Sequence, residues 1–196
     1  MRVDPESMRV LRARGLSVTL PGGEAPAERD DAERLRRICV PGRCCMRRKE
    51  RERTDRAFME QVLKDADTLW LSLNTEGAPY VIPVNHALHE GVLYIHCANE
   101  GLKLDLIRRD PRVGFAAATD VRIIRERSTT AYRSVCGSGT AVIVEDEAEK
   151  QTALVAIRDQ YQAICDLPAP ASRLPQIGIV RIVIESLTGK EKTLPA

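Results

Sequence analysis

Thirteen residues, NHALHEGVLYIHC at 85–97, hold all three histidines of the chain, His86, His89 and His96, with Cys97, one of its six cysteines. Such a set has three readings: a metal site, a histidine that moves a proton beside helpers, or a hairpin whose imidazoles make only polar contacts. Side chains alternate across a strand, so Leu93, Ile95 and Cys97 share one face while Tyr94 and His96 share the other. Cys97 and His96 therefore diverge. A zinc site needs three or four converging ligands, and none is expected here. His89 falls in a turn. His96 is left as a proton donor, a polar wall, or an imidazole in a polar interface. Elsewhere Cys39, Cys44 and Cys45 lack the paired C-x2-C spacing or partner histidines of a structural metal site.

Two neighbours bear on the same stretch. Lys103 falls in or near the first turn of a helix over NEGLKLDLIRRD. The helix dipole already presents positive potential there, so a cation is unfavourable unless an anion sits between them. Helix amides plus a lysine suit a phosphate; an exposed lysine offset by Glu100 is the equally weighted alternative. Asn99 is the expected cap, and Gly101 lets a ligand approach the backbone. Pro83 lies inside a convincing strand but cannot donate to a ladder, so that strand is at an edge, bulged or locally unpaired. A flat heterocycle with carbonyls and ring nitrogens would satisfy the exposed backbone groups.

The elements that must position these residues follow from pattern. Thr54 is a suitable N-cap for a helix carrying Phe58, Met59, Val62, Leu63 and Ala66 on one stripe. TLWLSLN alternates as a half-buried strand with Leu69, Leu71 and Leu73 inward. NTEG turns the chain into a second strand, PYVIPVNHAL, and HEG closes a hairpin onto VLYIHCA. Pro111 ends the short helix. RVGFAAAT is a fourth strand, and TAYRSVCGSGTAVIVED a long fifth, with Gly137 and Gly139 permitting a bend. DEAEKQTALVAIRDQYQAIC is an amphipathic helix bearing Leu154, Ile157, Tyr161 and Ile164, and IGIVRIVIESLTG is the last strand. Hairpin links outnumber helical crossovers. The expected fold is mainly β, a six-stranded, mostly antiparallel barrel with flanking helices.

Composition bounds the rest. The 196 residues suffice for one packed domain with an appendage. The split expected is an N-terminal extension or arm at 1–45 and a domain at 46–196, with Met46 an alternative start. Aromatics make up only 4%, so Leu, Ile, Val and Ala must build the core. A net charge of +2 gives no argument for nucleic acid. Arg43–Arg53 holds six basic and two acidic residues, a solvated face or a partner-binding stretch. No run is long enough to span a membrane, and the first residues lack a signal-peptide core. Reduced thiols in a cytoplasmic protein are the expectation.

The segments MRRKERERTD, PYVIPVNHALHEGVLYIHCANEGLKLDLIRRDPRVGF, YRSVCGSGTAVIVED and IESLTGK, in this order and spacing, resemble the FMN-binding split barrels related to pyridoxamine 5'-phosphate oxidase. The resemblance runs from Met46 to about Lys192 and is strongest to the branch containing nitroimidazole-resistance proteins. It implies a homodimer with FMN at the two subunit interfaces and a small-molecule substrate. By position it assigns cofactor contacts to Pro83, Val84, Asn85, His86, His96 and Cys97, and the phosphate to Lys103. Ser134 would lie on the strand that approaches from the second subunit. His96 would be the catalytic residue, with Tyr94 and Trp70 as candidate pocket walls. Two departures matter. Gly101-Leu102 replaces the Ser-Arg pair that precedes the phosphate lysine, leaving Arg108, Arg109 or the other subunit to supply what is lost. The oxidase's C-terminal arginine motif is absent, so pyridoxamine phosphate oxidation is not expected. The resemblance therefore implies a flavin-dependent oxidoreductase acting on nitroaromatic or other small electrophiles; the alternative is a non-enzymatic flavin- or haem-binding barrel.

Overall fold

The computed structural model describes residues 48–162 and 172–193, with the backbone of Cys39–Val40 (β1) and Arg43–Cys44 (β2), which form a two-stranded ladder. The chain divides into two units, Met1–Arg43 and Cys44–Ala196. The arm expected before Met46, the side chains of Cys39, Cys44 and Cys45, and Ile164 lie outside the described residues.

In the second unit a 3-10 turn, Lys49–Arg51, precedes Glu52–Arg53 (β3) and a helix, Arg56–Asp65 (α1). The cap of α1 is Asp55 rather than Thr54. Asp55 has the extended backbone that precedes a first turn, and its carboxylate accepts the Ala57 N–H at 3.0 Å. Then come Leu69–Leu73 (β4), Tyr80–Val84 (β5), Ala87–His89 (β6), Val92–Ala98 (β7) and the helix Leu102–Arg109 (α2). Two long strands, Arg112–Ile124 (β8) and Thr129–Ile143 (β9), a helix Glu147–Tyr161 (α3) and Ile177–Lys192 (β10) complete the unit. The hairpin between β6 and β7 turns on Glu90 and Gly91, both at positive φ, as the twist of a two-residue hairpin requires.

Every strand pair in the large sheet is antiparallel, and its order is β5-β4-β8-β9-β10-β7-β6, with β3 added on β10. That makes eight strands, not six. The extra two arise from the short β3 and from a break in the strand expected across residues 79–88. The break dictates the shape. β5 and β6 are two residues apart in the chain yet stand at opposite ends of the sheet. Three Cα–Cα steps bridge at most about 11 Å, while seven strands laid flat would span about 29 Å. The sheet must roll until its ends approach, giving a barrel split between β5 and β6. Pro83 accordingly lies on an edge strand, as its missing N–H demands.

The barrel interior is aliphatic. Leu69, Leu71 and Leu73 of β4 meet Leu93, Ile95, Val113, Phe115, Val135 and Ile182, closed by Val62 and Leu63 of α1 and Leu104 and Ile107 of α2. A second, smaller core of Tyr94, Ile179, Val144 and Ala153 lies beneath α3 on the outer face of β7 and β10. Gly137 does more than bend β9. A Cβ there would stand 2.4 Å from the Phe115 ring and 2.6 Å from the Ser186 carbonyl, so it is a space requirement.

Candidate functional site

β7 carries the site because its two edges are treated differently. On one side it pairs with β10 along its whole length, from Val92 opposite Val183 to Ala98 opposite Ile177. On the other, β6 covers only Val92, Leu93 and Tyr94. Continued two residues, that register would set Asn85 opposite His96. The pairing stops instead, just where the chain enters β6 from Val84 and Asn85, and one edge of Ile95–Ala98 is left without a strand partner among the described residues. Exposed backbone of this kind is what a heterocycle with ring nitrogens and carbonyls can satisfy.

The two side chains here point to opposite faces but share one cation. His96 is exposed on the outer face, and Cys97 is half-buried against the barrel core. The Lys103 ammonium acts on both. Partial burial, with Lys103 second, holds His96 below its ordinary value; burial pushes the Cys97 thiol up, while Lys103 opposes it. Lys103 is the second residue of α2, whose N-terminus no side chain caps. The first helical turn thus presents amides and a cation together, and Leu104 and Asp105 donate to the Gly101 carbonyl. Gly101 itself sits at φ 121°, a conformation for glycine, with open space where a side chain would stand. Asn99, the expected cap, instead donates to the Pro175 carbonyl at 2.9 Å; Gly101 stands next to the helix and takes the capping position.

The other expected site residues are placed as follows. Pro83 and Asn85 are exposed and Val84 half-buried, along the edge strand and its exit. His86 has its side chain fully buried, with Nε2 2.7 Å from the Leu63 carbonyl. That contact makes Nε2 the protonated nitrogen, leaving buried Nδ1 without a partner among the described residues. Its backbone N–H donates to the Tyr161 hydroxyl, which in turn donates to the Asp67 carbonyl, each at 3.0 Å. His86 and Tyr161 therefore clasp the turn between β5 and β6 to α1 and α3. Sequence reading assigned Tyr161 only to an apolar stripe; its hydroxyl was the available signal for this role. Tyr94 is buried under α3, its hydroxyl donating to Glu149, which also takes Arg181 at 2.9 Å. It therefore does not line the seam. Arg108 pairs with Asp105 at 2.8 Å and Arg109 with Glu76 at 3.4 Å, at the end of α2 away from Lys103. Ser134, on β9, is remote from His96 in the same chain. Its register partner Lys190 and the Cys97 partner Gly178 are twelve residues apart on β10, roughly 40 Å of extended strand. Trp70 is 52% exposed and stands between Pro83 and Ala116 on the outer face.

Burial holds His86 below the ordinary histidine range, with the Leu63 carbonyl only partly offsetting it. No charged neighbour adds to this. A histidine depressed in the folded state contributes stability that is complete above the unfolded value near 6.5 and is lost as pH falls below it. Unfolding free energy is expected to fall by up to about 1.4 kcal/mol per pH unit below 6.5 on account of this group. Urea titrations at pH 7.5, 6.5 and 5.5 measure it, and the increment should vanish in His86→Gln; equal slopes in the two proteins would refute it.

Among the described residues no group of three or more His, Cys, Asp or Glu could hold a metal ion, and no helix is long and apolar enough to cross a membrane. Arg48 pairs with Glu50 at 3.5 Å, Lys49 with Glu52 at 3.0 Å, and Arg53 with Glu191, so part of the basic stretch is balanced locally.

The sequence profile described as pyridoxamine 5'-phosphate oxidase matches residues 55–191. None of the curated proteins compared with the chain matches it. Among solved structures, a candidate 5-nitroimidazole antibiotic resistance protein from Bacteroides thetaiotaomicron superposes with a TM-score of 0.63 at 23% identity, over 71% of this chain and 85% of that one. A flavocytochrome from Azotobacter vinelandii gives 0.64 at 18% identity over 76% and 73%. A FAD- and haem-binding protein from Mycobacterium smegmatis gives 0.62 at 16% over 74% and 76%. At these identities the structures share a fold with this chain.

Proposed function

Because this chain belongs to the pyridoxamine 5'-phosphate oxidase family, we propose that it is an FMN-dependent oxidoreductase, working as a cytoplasmic homodimer, that reduces a nitroaromatic or similarly small electrophile. One observation carries the reading. β7 loses its β6 partner at Ile95–Ala98, just where the chain enters β6 from Val84 and Asn85, with His96 in that segment and Lys103 at the head of α2.

These residues fit the cofactor. The backbone at Val84 and Asn85 would meet the polar edge of the ring system, Pro83 would lie along it, and Lys103 with the α2 amides would hold the phosphate. A bound flavin supplies the redox chemistry; the chain supplies orientation and a proton. His96, partly desolvated and within the field of Lys103, is the proton donor, its Nδ1 or Nε2 releasing the proton toward the acceptor. Cys97 contributes its backbone, because its thiol turns to the core.

The homodimer rests on Ser134. If it meets the cofactor, it does so from a second copy, since its own chain holds it far along β10 from Cys97. The outer face of β5, β4, β8 and β9 suits such a copy. In one row across the strands lie Pro83, Trp70, Ala116 and Cys136, and Val81 and Ile123 on the same sheet are 52% and 75% exposed. Exposed apolar side chains on one face of a sheet suit an interaction site.

Titrating the purified protein with FMN, followed at flavin wavelengths, is expected to show saturable uptake at one FMN per chain. No uptake would end the reading. Uptake without turnover of nitro compounds or quinones by the reduced protein would favour a flavin carrier, and a haem spectrum a haem-binding one.

A further inference from the structure

A phosphate monoester carries a charge of about −1.5 to −2 at neutral pH, yet α2 offers it a single lysine. The arginines of α2 are paired with Asp105 and Glu76 at the opposite end of the helix. The IESLTGK segment, which has no role in the site so far, ends in a lysine that the sheet places beside Ser134. Ala118, Ser134 and Lys190 form one cross-strand row over β8, β9 and β10. Side chains directly opposite in such a row have Cβ atoms about 4.5–5.5 Å apart. Whatever approaches Ser134 therefore approaches Lys190.

Lys190 is also uncommitted. Its ammonium lies 5.8 Å from the centre of the Tyr132 ring, and no carboxylate among the described residues pairs with it. The nearest acid by register, Glu52 on β3, is taken by Lys49 at 3.0 Å. The neighbouring cations are engaged. Arg133 bridges Asp120 at 2.6 Å and Asp65 at 2.9 Å, Arg53 holds Glu191, and Lys192 reaches the Thr129 hydroxyl. Arg122, Arg125 and Arg127, which also lack an ion pair among the described residues, lie beyond the irregularity in β8 and off the Ser134 row.

We infer that Lys190 of the partner subunit is the second phosphate cation of the site, completing in trans what Lys103 begins. The inference rests on the homodimeric FMN reading above. The site is then composite: Lys103 and the α2 amides from one chain, Ser134 and Lys190 from the other. It takes the place of the Ser-Arg pair that Gly101-Leu102 lacks.

Riboflavin, which has the ring and ribityl chain but no phosphate, separates the two readings. Affinities for FMN and riboflavin are measured in the parent protein, in Lys103→Gln, Lys190→Gln and Lys190→Arg, and in Arg122→Gln, which removes one charge at the same end of the sheet. Lys103→Gln and Lys190→Gln are each expected to weaken FMN by roughly 10–100-fold, as for a lost hydrogen bond to a charged group, with riboflavin unchanged. Lys190→Arg should restore most of the loss, and Arg122→Gln should match the parent. Mixing Lys103→Gln with Lys190→Gln subunits, each weak alone, should regenerate tight binding in about a quarter of the sites, because one site of each twofold heterodimer is intact.

If the parent protein does not distinguish FMN from riboflavin, the FMN reading itself fails. If Lys103→Gln weakens FMN and Lys190→Gln does not, the reading stands and the inference is overturned. Equal loss of both flavins in Lys190→Gln, a comparable loss in Arg122→Gln, or no recovery on mixing would overturn it too.

Discussion

Replacing His96 by alanine is expected to slow oxidation of the reduced, FMN-loaded protein by a nitroaromatic by about 10²–10⁴-fold, the range for losing a positioned acid, while FMN stays bound. His96 stands at the unpaired end of β7, and its side chain makes no hydrogen bond to a described residue that would fix it as a structural element. Its titration gives a second handle. Burial and Lys103 together hold it below its ordinary value of about 6.5, so the protonated, donating form accumulates only below that pH in the unliganded protein. A phosphate at Lys103 removes the repulsion from the lysine, the lesser of the two causes, while the desolvation that leads the shift persists. The rate in the parent protein should therefore fall as pH increases through the histidine range. This limb should be absent in His96→Ala. Proton NMR of His96 with and without FMN should report its titration directly. Stopped-flow traces that are unaltered in His96→Ala, or a pH limb that persists there, would remove His96 as the proton donor.

Gly139→Ala is expected to cost roughly 3–5 kcal/mol of unfolding free energy, at the severe end of overpacking substitutions. Gly139 is buried in β9, opposite Val113 on one side and Ile184 on the other. A Cβ there would lie 2.3 Å from the Val183 carbonyl oxygen and 3.0 Å from the Ile182 side chain. The first obstacle is backbone in the middle of the β9–β10 ladder, which cannot rotate away as a side-chain tip can. Relief requires moving β10, and β10 also holds β7 in register beneath the site. A domain of this size has only about 5–15 kcal/mol to lose. Thermal unfolding should accordingly drop by about 10 °C or more. A loss below about 1 kcal/mol in urea titration would mean that β10 yields there freely.

Much of this architecture was legible in local pattern. The Glu90-Gly91 hairpin, the helix that begins just before Lys103, the alternation of Leu69, Leu71 and Leu73, and the edge position of Pro83 each depend on a few neighbouring residues. The first three were expected and are found, and of the three situations open to Pro83 (edge, bulge or unpaired strand) the edge is the one found. The same local reasoning misjudged residues 79–88, which read as one strand because the β-propensity of PYVIPVNHAL is continuous. It breaks at Asn85-His86 because the two halves pair with strands at opposite ends of the sheet.

Local pattern is therefore enough to say which side chains of β7 point together: Leu93 with Ile95 and Cys97, and Tyr94 with His96. Period-two alternation is a property of the strand and needs no partner. Only the tertiary structure decided what each face meets. α3, some fifty residues later, covers Tyr94 and leaves His96 exposed. His86 is turned inward to Leu63 by the closure of the barrel. β10 carries Lys190 to the row of Ser134 and away from Lys103. Those outcomes depend on contacts between segments far apart in the chain, whose registers no local periodicity encodes.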